Sequence, residues 1–362
     1  MDRRARVLIV ASAADWLGVA RLPGGLHAAG AGCALLAPPE TLTARSRHVE
    51  RHFLWTGADA AALERACAEF SPDWLIAADE RALLWLDDVR AAAPSAPVRA
   101  LLDRLPPLWQ MNKWEMARRA HALGLPVPVA AQLRVPQGLD RFARTVPPPL
   151  VIKPVLGHGG HSVRICDDLP SARAAMVGGQ VPWLAQRYQP GRTWICAFHA
   201  WRGELRTVLC AAKVHQHPAG IGPGSLIEIR EQPDLRALTA KLVRGLEYSG
   251  LGGIDFIVGE DGRAWFIELN PRPVPILHLG RRAGPDPCAA LAADLAGRTF
   301  VETPLRKPVW RVALFPQELQ RDPAGAGLND GELDLPRDDP ALLAALAARL
   351  SPEGRATLES RV

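Results

Sequence analysis

Lysine is scarce in this sequence. Of its 43 basic residues only five are lysine (Lys113, Lys153, Lys213, Lys241 and Lys307), and the other 38 are arginine. Where arginine is the default cation, each surviving lysine marks a place where a guanidinium does not serve. Basic runs are absent too. The longest are pairs such as Arg3-Arg4, Arg118-Arg119 and Arg281-Arg282, with no interleaved aromatics, so a net charge of +5 gives no support to nucleic-acid binding. Cysteine numbers six, with no CxxC and no metal-type spacing. Sitting in apolar runs, these cysteines read as free, buried thiols of a cytoplasmic protein. No long apolar run exists. The charge-poor stretch 22–39 is broken by Pro23, Gly24, Gly25, Gly30, Gly32, Pro38 and Pro39, which excludes a membrane span. The basic start before VLIVASAA resembles a short leader, but the apolar run is brief and Asp15 follows, so a first core strand is expected.

What is present indicates an α/β protein. At 362 residues, two or three packed units are expected, and 48% apolar with 22% charged residues is globular. Strands over 6–11, 33–36, 52–55 and 74–78 alternate with helices, the signature of a parallel sheet. Asp79 and Glu80 follow the last of these strands. They are either rim residues at a ligand-binding strand end or solvated loop acids, the second being favoured. Pro106-Pro107 reads as a joint. Beyond it come a helix over 113–123, strands at 150–154 and 162–165, and a helix over 168–176. Strands at 184–188, 193–200 and 205–213 follow, then a helix over 235–247. A hairpin pairs 253–258 with 264–269 around Gly259-Glu260-Asp261-Gly262. The tail holds a strand at 311–315 and a helix at 340–350. It is expected to cover a sheet edge or to build a homodimer contact.

Several chemistries are excluded outright. There is no Gly-Lys pair for a Walker A loop, no His-Glu pair for HExxH, no GxSxG and no GxGxxG. Three segments remain, one of which, the strand-then-turn Trp183–Gly191 between the other two, reads alone as an edge strand. In Leu150-Val151-Ile152-Lys153-Pro154 a buried strand delivers an ammonium, and the glycine-rich loop through Gly157, Gly159, Gly160, His161 and Ser162 follows it. An ammonium is a point charge for phosphate oxygens, and a flexible glycine backbone can donate N–H groups to them. Taken alone, the same segment also reads as a surface lysine beside a turn. In the hairpin, the two strands are expected to bring Asp255 and Glu268 together. Two facing carboxylates in an apolar hairpin call for a cation between them, and Asp255, Glu268 and Asn270 form an oxygen set suited to magnesium. The alternative is that one of the acids is simply exposed. His215 and His217 precede the glycine-rich loop 220–225. That loop faces either an acceptor or solvent, and metal binding by the histidines is disfavoured because magnesium prefers oxygen.

The order of these pieces, from Asn112 to Leu279, resembles the ATP-grasp superfamily, which includes D-alanine–D-alanine ligase, glutathione synthetase and biotin carboxylase. The string Ile267-Glu268-Leu269-Asn270-Pro271-Arg272 is its most specific part. The resemblance implies an N-terminal Rossmann-like parallel α/β domain (1–105), then a small lobe (106–182), a large lobe with an antiparallel sheet (183–306) and a C-terminal extension (307–362). It implies ATP, with magnesium or manganese, as cofactors. Lys113, Lys153 and Lys213 fall on phosphate contacts, and 157–162 on the phosphate loop. Gln186, Arg187 and Tyr188 fall on the base-reading linker, Asp255, Glu268 and Asn270 on metal ligands, and Arg272 on the substrate-carboxylate site. Position 186 is commonly Glu in the family, and the usual ribose-binding acid is replaced by Arg192, Thr193 and Trp194. Glu204, at a turn, is not expected to substitute. The implied reaction joins a small carboxylate to an amine, amino-acid or peptide-like, through an acyl phosphate. A bicarbonate-dependent carboxylase-type enzyme and a catalytically weak nucleotide-binding protein are the alternatives, and no membrane or nucleic-acid partner is expected.

Overall fold

The computed structural model describes residues 4–57, 60–135, 137–157, 162–176, 182–220 and 222–361. Gly159, Gly160 and His161 lie outside them.

Among the described residues the chain forms three sheets. The first is fully parallel, in the order β3-β2-β1-β4, from β1 (Arg6–Val10), β2 (Gly32–Ala37), β3 (Arg51–Leu54) and β4 (Trp74–Ala77). Its central strands are apolar on both faces because both faces are covered. Val7 and Ile9 face one core, shared with Leu26, Ile195 and Leu291, while Leu8 and Val10 face another under the helices Ala60–Phe70, Glu80–Ala91 and Ala96–Leu102. The expected Rossmann-like unit is therefore present.

The small sheet runs β5-β8-β6-β7, from β5 (Ala130–Leu133), β6 (Leu150–Pro154), β7 (Arg164–Cys166) and β8 (Trp183–Arg187), all antiparallel. Helices Gln137–Ala143 and Leu169–Ala175 cover one face through Leu139, Phe142 and Ala172. The expected boundary at 183 therefore moves. β8 hydrogen-bonds to β5 and β6, so the chain leaves the small lobe after Arg187.

The large sheet has seven strands in the order β13-β12-β9-β10-β11-β14-β15. Its members are β9 (Arg192–Trp201), β10 (Glu204–Gln216), β11 (Gly224–Arg230), β12 (Gly250–Val258), β13 (Ala264–Asn270), β14 (Val309–Leu314) and β15 (Glu332–Asp334). All pairings are antiparallel except β14 with β15. One face packs toward the N-terminal unit and the other carries helices Lys113–Ala122 and Pro233–Gly245. Gly224 and Ser225, read as the end of a loop, begin a buried strand that runs on through residues 226–230, to which the sequence assigned no element, and it receives the tail as its neighbour. The tail is thus part of the large sheet, not an appendage. All six cysteines are free and buried. Among the described residues no helix is long and apolar enough to cross a membrane.

Candidate functional site

A cavity of about 860 Å³ lies between the small and large sheets. Its floor and roof come from strand faces, so its side chains are set by backbone pairing rather than by loops. On β6, Val151 and Lys153 share a face by alternation, and both line the cavity. Lys153 is 3% exposed. Burial lowers its ammonium to about 8, against the opposing pull of Glu268 and Asp255.

Lys113 opens the helix Lys113–Ala122, whose start is capped by the Asn112 side chain accepting from the backbone N–H of Trp114 and Glu115. The Lys113 backbone N–H donates to Val155 O at 2.9 Å, which docks the helix start on the end of β6. Its Nζ donates to Gly157 O and stands 3.6 Å from Glu268 Oε2. Gly157 and Ser162 also line the cavity. From β10, Lys213 Nζ donates to Asp255 Oδ1 at 2.7 Å. Three of the chain's five lysines therefore meet at one cavity. The other two have structural contacts. Lys241 Nζ donates to Gly124 O at 3.3 Å, and Lys307 lies 5.9 Å from the Trp310 ring.

Asp255 and Glu268 are cross-strand partners in the β12–β13 register because a bulge between Asp255 and Phe256 shifts the pairing by one residue; the regular register would set Asp255 against Ile267. Asn270 Nδ2 donates to Asp255 Oδ2 at 3.1 Å, which leaves its amide oxygen turned from that bond. Burial would raise the Glu268 carboxyl, but Lys113, Lys153, Lys213 and Arg272 outweigh it and hold the group below its ordinary range. Two facing carboxylates suit a hard divalent cation such as magnesium; Asn270, which does not line the cavity, would add its amide oxygen only with its amide turned. Among the described residues no group of three His, Cys, Asp or Glu side chains forms a softer metal site. His215 is instead bound to the buried Glu318 of the tail, Nδ1 to Oε1 at 3.0 Å.

Gln186, Arg187 and Tyr188 line the cavity where β8 ends. The Arg187 and Tyr188 backbone N–H groups are already used, donating to Val129 O (2.8 Å) and Pro149 O (3.3 Å). Gly191 follows at φ +145°, and a Cβ there would stand 2.4 Å from Val258 O. Only glycine allows this close passage of the linker over the end of β12.

Arg272 departs from expectation. It is 6% exposed and does not line the cavity. Its Nε and Nη2 donate to Glu80 Oε1 at 3.1 and 2.8 Å, and its guanidinium lies 5.0 Å from the Trp16 ring. Glu80 and Asp79 are accordingly not solvated loop acids. Asp79, 5% exposed, accepts from Ser12 Oγ (2.5 Å), Ser12 N (2.8 Å) and Ala82 N (2.8 Å), capping the helix Glu80–Ala91. Glu260 is the residue that sequence reasoning missed, and for Glu80, named as a rim candidate, it missed the pairing with Arg272. Glu260, at the hairpin turn, lines the cavity rim. The turn was legible, but its reach over the cavity had no signal in the sequence. Glu204 pairs with Arg206 at 3.0 Å and is not a lining residue. From the loop 215–225, Gln216 and Gly220 reach the cavity wall.

Fold and site together define a two-lobed domain that closes on a cleft lined by lysines and carboxylates, behind a parallel α/β unit. Residues 110–275, a little under half of the chain, match the ATP-grasp domain family. Over 182 residues, 45% of the chain, it is 30% identical to the carbamoyl phosphate synthase large chain of Thermomicrobium roseum, covering 17% of that protein. Over 186 residues, again 45% of the chain, it is 29% identical to the D-alanine–D-alanine ligase of Alkalilimnicola ehrlichii, covering 56% of it. The chain thus spans about a sixth and just over half of these relatives' lengths. Among solved structures, an N5-carboxyaminoimidazole ribonucleotide synthetase in its ADP complex superposes with a TM-score of 0.65 at 18% identity, over 85% of this chain and 81% of that one.

Proposed function

We propose that the chain is an ATP- and magnesium-dependent ligase that activates a carboxylate as an acyl phosphate and joins it to an amine, releasing ADP and phosphate. The observation that carries this reading is the convergence of Lys113, Lys153 and Lys213 with the facing pair Asp255 and Glu268 on one cavity. Phosphoryl transfer needs positioned positive charge more than covalent chemistry, and this is a site of positioned charge.

A carboxylate oxygen of the first substrate attacks the γ-phosphorus, and the bond to the β,γ-bridging oxygen breaks to release ADP. The amine nitrogen then attacks the acyl carbon, phosphate leaves, and the nitrogen loses a proton to give the amide. The three lysines hold the phosphates, and the segment 157–162, including Gly157, Gly159, Gly160, His161 and Ser162, covers them. Gln186, Arg187 and Tyr188 read the base. Asp255, Glu268 and Asn270 would hold magnesium, which offsets phosphate charge during transfer. Arg272 would meet a substrate carboxylate only by giving up its pair with Glu80, where the N-terminal sheet meets the cleft. The crevice beyond the ends of β1 and β4, at the point where the strand order reverses, is where open α/β sheets receive ligands. The substrates proposed for that junction are small and amino-acid or peptide-like. Six buried free thiols suit a reducing cytoplasm.

The test is release of ADP from protein that binds ATP, screened against pairs of carboxylates and amines. ADP release that requires both substrates, and that Glu268→Gln abolishes, supports the reading. Protein that binds ATP yet turns over no pair overturns it.

A further inference from the structure

Strand β10 runs on past Lys213 into the cavity wall, where Gln216 and Gly220 stand. His215 sits between these lining residues, about 7 Å along the strand from Lys213, and lies just outside the nucleotide cavity. The ladder is irregular on both sides of it. Lys213 pairs with Ile227, His215 with Leu226 and Gln216 with Gly224, so β10 and then β11 each carry one extra residue. Such bulges re-aim side chains and recur beside active sites. Here they bring the Nδ1 edge of His215 to the tail, 3.0 Å from Glu318 Oε1.

Glu318 is fully buried, and Arg321 donates to it through Nε at 3.0 Å and through Nη2. Burial would raise its carboxyl, but Arg321 and His215 outweigh this and hold it below its ordinary range. An ionised carboxylate only accepts, so in neutral His215 the proton is on Nδ1 and the lone pair is on Nε2. The His215 side chain is 33% exposed. Among the described residues nothing bonds Nε2, and it is not a buried atom. A tail carboxylate thus fixes one tautomer of a histidine at the phosphate end of the cavity and leaves its basic nitrogen open.

We propose that His215 is the base that takes the proton from the attacking amine, and that Glu318 is the positioning residue that holds it in the required tautomer. The proposal rests on the ligase reading above. ADP still fills the nucleotide cavity when the amine attacks, so the amine reaches the acyl phosphate from the side the nucleotide leaves open, where His215 stands. The amine nitrogen bonds to the acyl carbon. The bond from that carbon to the phosphate oxygen breaks, and phosphate leaves with the electron pair. Nε2 takes the N–H proton, and the Glu318 carboxylate stabilises the imidazolium until water removes that proton. The tail, which carries no part of the nucleotide site, acquires a role in the second half of the reaction.

Hydroxylamine separates the two half-reactions, because it is a neutral nucleophile at neutral pH and traps an acyl phosphate as a hydroxamate without help from a base. The full chain is given ATP, magnesium, each protein amino acid in turn as carboxylate, and either hydroxylamine or a second amino acid as acceptor. His215→Asn keeps a side-chain N–H for Glu318 and removes the base. It should form hydroxamate within about twofold of wild type and lose amide formation by about a hundredfold or more. Glu318→Gln can itself donate and so no longer demands Nδ1–H; it should lose amide formation by about a hundredfold or more with the hydroxamate yield kept. Should that variant fail to fold, His215→Asn decides alone. Unchanged amide formation in either folded variant overturns the proposal. So does an equal loss of hydroxamate and amide, which marks a structural role, and so does wild type that forms hydroxamates but no amide. Wild type that binds ATP yet forms no hydroxamate defeats the ligase reading itself, and the proposal with it.

Discussion

Lys153 shows what a single residue contributes. Its position was legible in the sequence, because a buried strand ending in the rarest cation of an arginine-rich chain needs a reason. Its state was not legible, because desolvation depends on what closes over the strand. Burial brings its ammonium to about 8. Below pH 8 free Lys153 is charged, and above it is neutral. A bound triphosphate favours the charged form, so binding above pH 8 takes up a proton. Nucleotide affinity should therefore weaken as pH rises through 8, by at most about tenfold per pH unit. Titration in buffers of different ionisation enthalpy reads that proton directly. In Lys153→Arg the guanidinium stays charged throughout, so the step should vanish. Activity should still fall by about a hundredfold or more, since a planar fork does not replace a buried point charge. An arginine variant of near-normal activity, or wild-type affinity flat from pH 7 to 9.5, would sink this account.

Single elements divide sharply in how far they could be read. The β12–β13 hairpin was legible as two strands around a glycine-rich turn, but the bulge between Asp255 and Phe256 that sets Asp255 opposite Glu268, and not Ile267, has no signal in the strands' own pattern. β8 was found as a strand but assigned to the wrong sheet, because hydrogen-bond partners are not written in a strand's own pattern. β11 was hidden by the Gly220–Gly224 stretch before it, which reads as loop up to the residue where the ladder begins. The linker from β8 to β9 matters most for the cleft. Gly191 holds φ +145° there, with no room for a Cβ beside Val258 O. Gly191→Ala should cost about 1–3 kcal/mol of stability. It should also raise the nucleotide KM, because the displaced linker carries Gln186 and Tyr188. A thermal-melt series beside KM values checks both. A variant with unchanged stability would show that the close approach is dispensable.

At the scale of the whole molecule, the contacts that join distant parts were the least legible. Arg272 reaches Glu80 across 192 positions, and no local pattern predicts such a pair. The tail repeats the theme. Asp334 accepts from Arg21 at 3.1 Å and meets His278 at 2.6 Å, while Ser46 donates to Asp339 at 2.5 Å. Leu335, Leu342, Leu346 and Leu350 pack with Ala20 and Leu42 of the N-terminal unit. The segment beyond Lys307 thus extends the large sheet at one end and fastens the N-terminal unit to it. Asp334, 2% exposed, is the hub. Burial would raise its carboxyl, but His278, Arg21 and Arg282 overcome this and hold it well below the ordinary range. A depressed folded value adds stability that is present above the unfolded value, about 4, and is lost as pH falls through the folded one. Asp334→Asn leaves Arg21 without its counter-charge, His278 being held below its ordinary range by burial, so at pH 7 it should cost about 3 kcal/mol. The gap between wild type and variant in urea midpoint should narrow as pH drops from 5 toward 2, because the wild type then loses the same charge. A gap of constant size across that range would mean the pair contributes through packing alone. No gap at pH 7 would show that the tail is held by its leucines and that the buried ion pair is incidental.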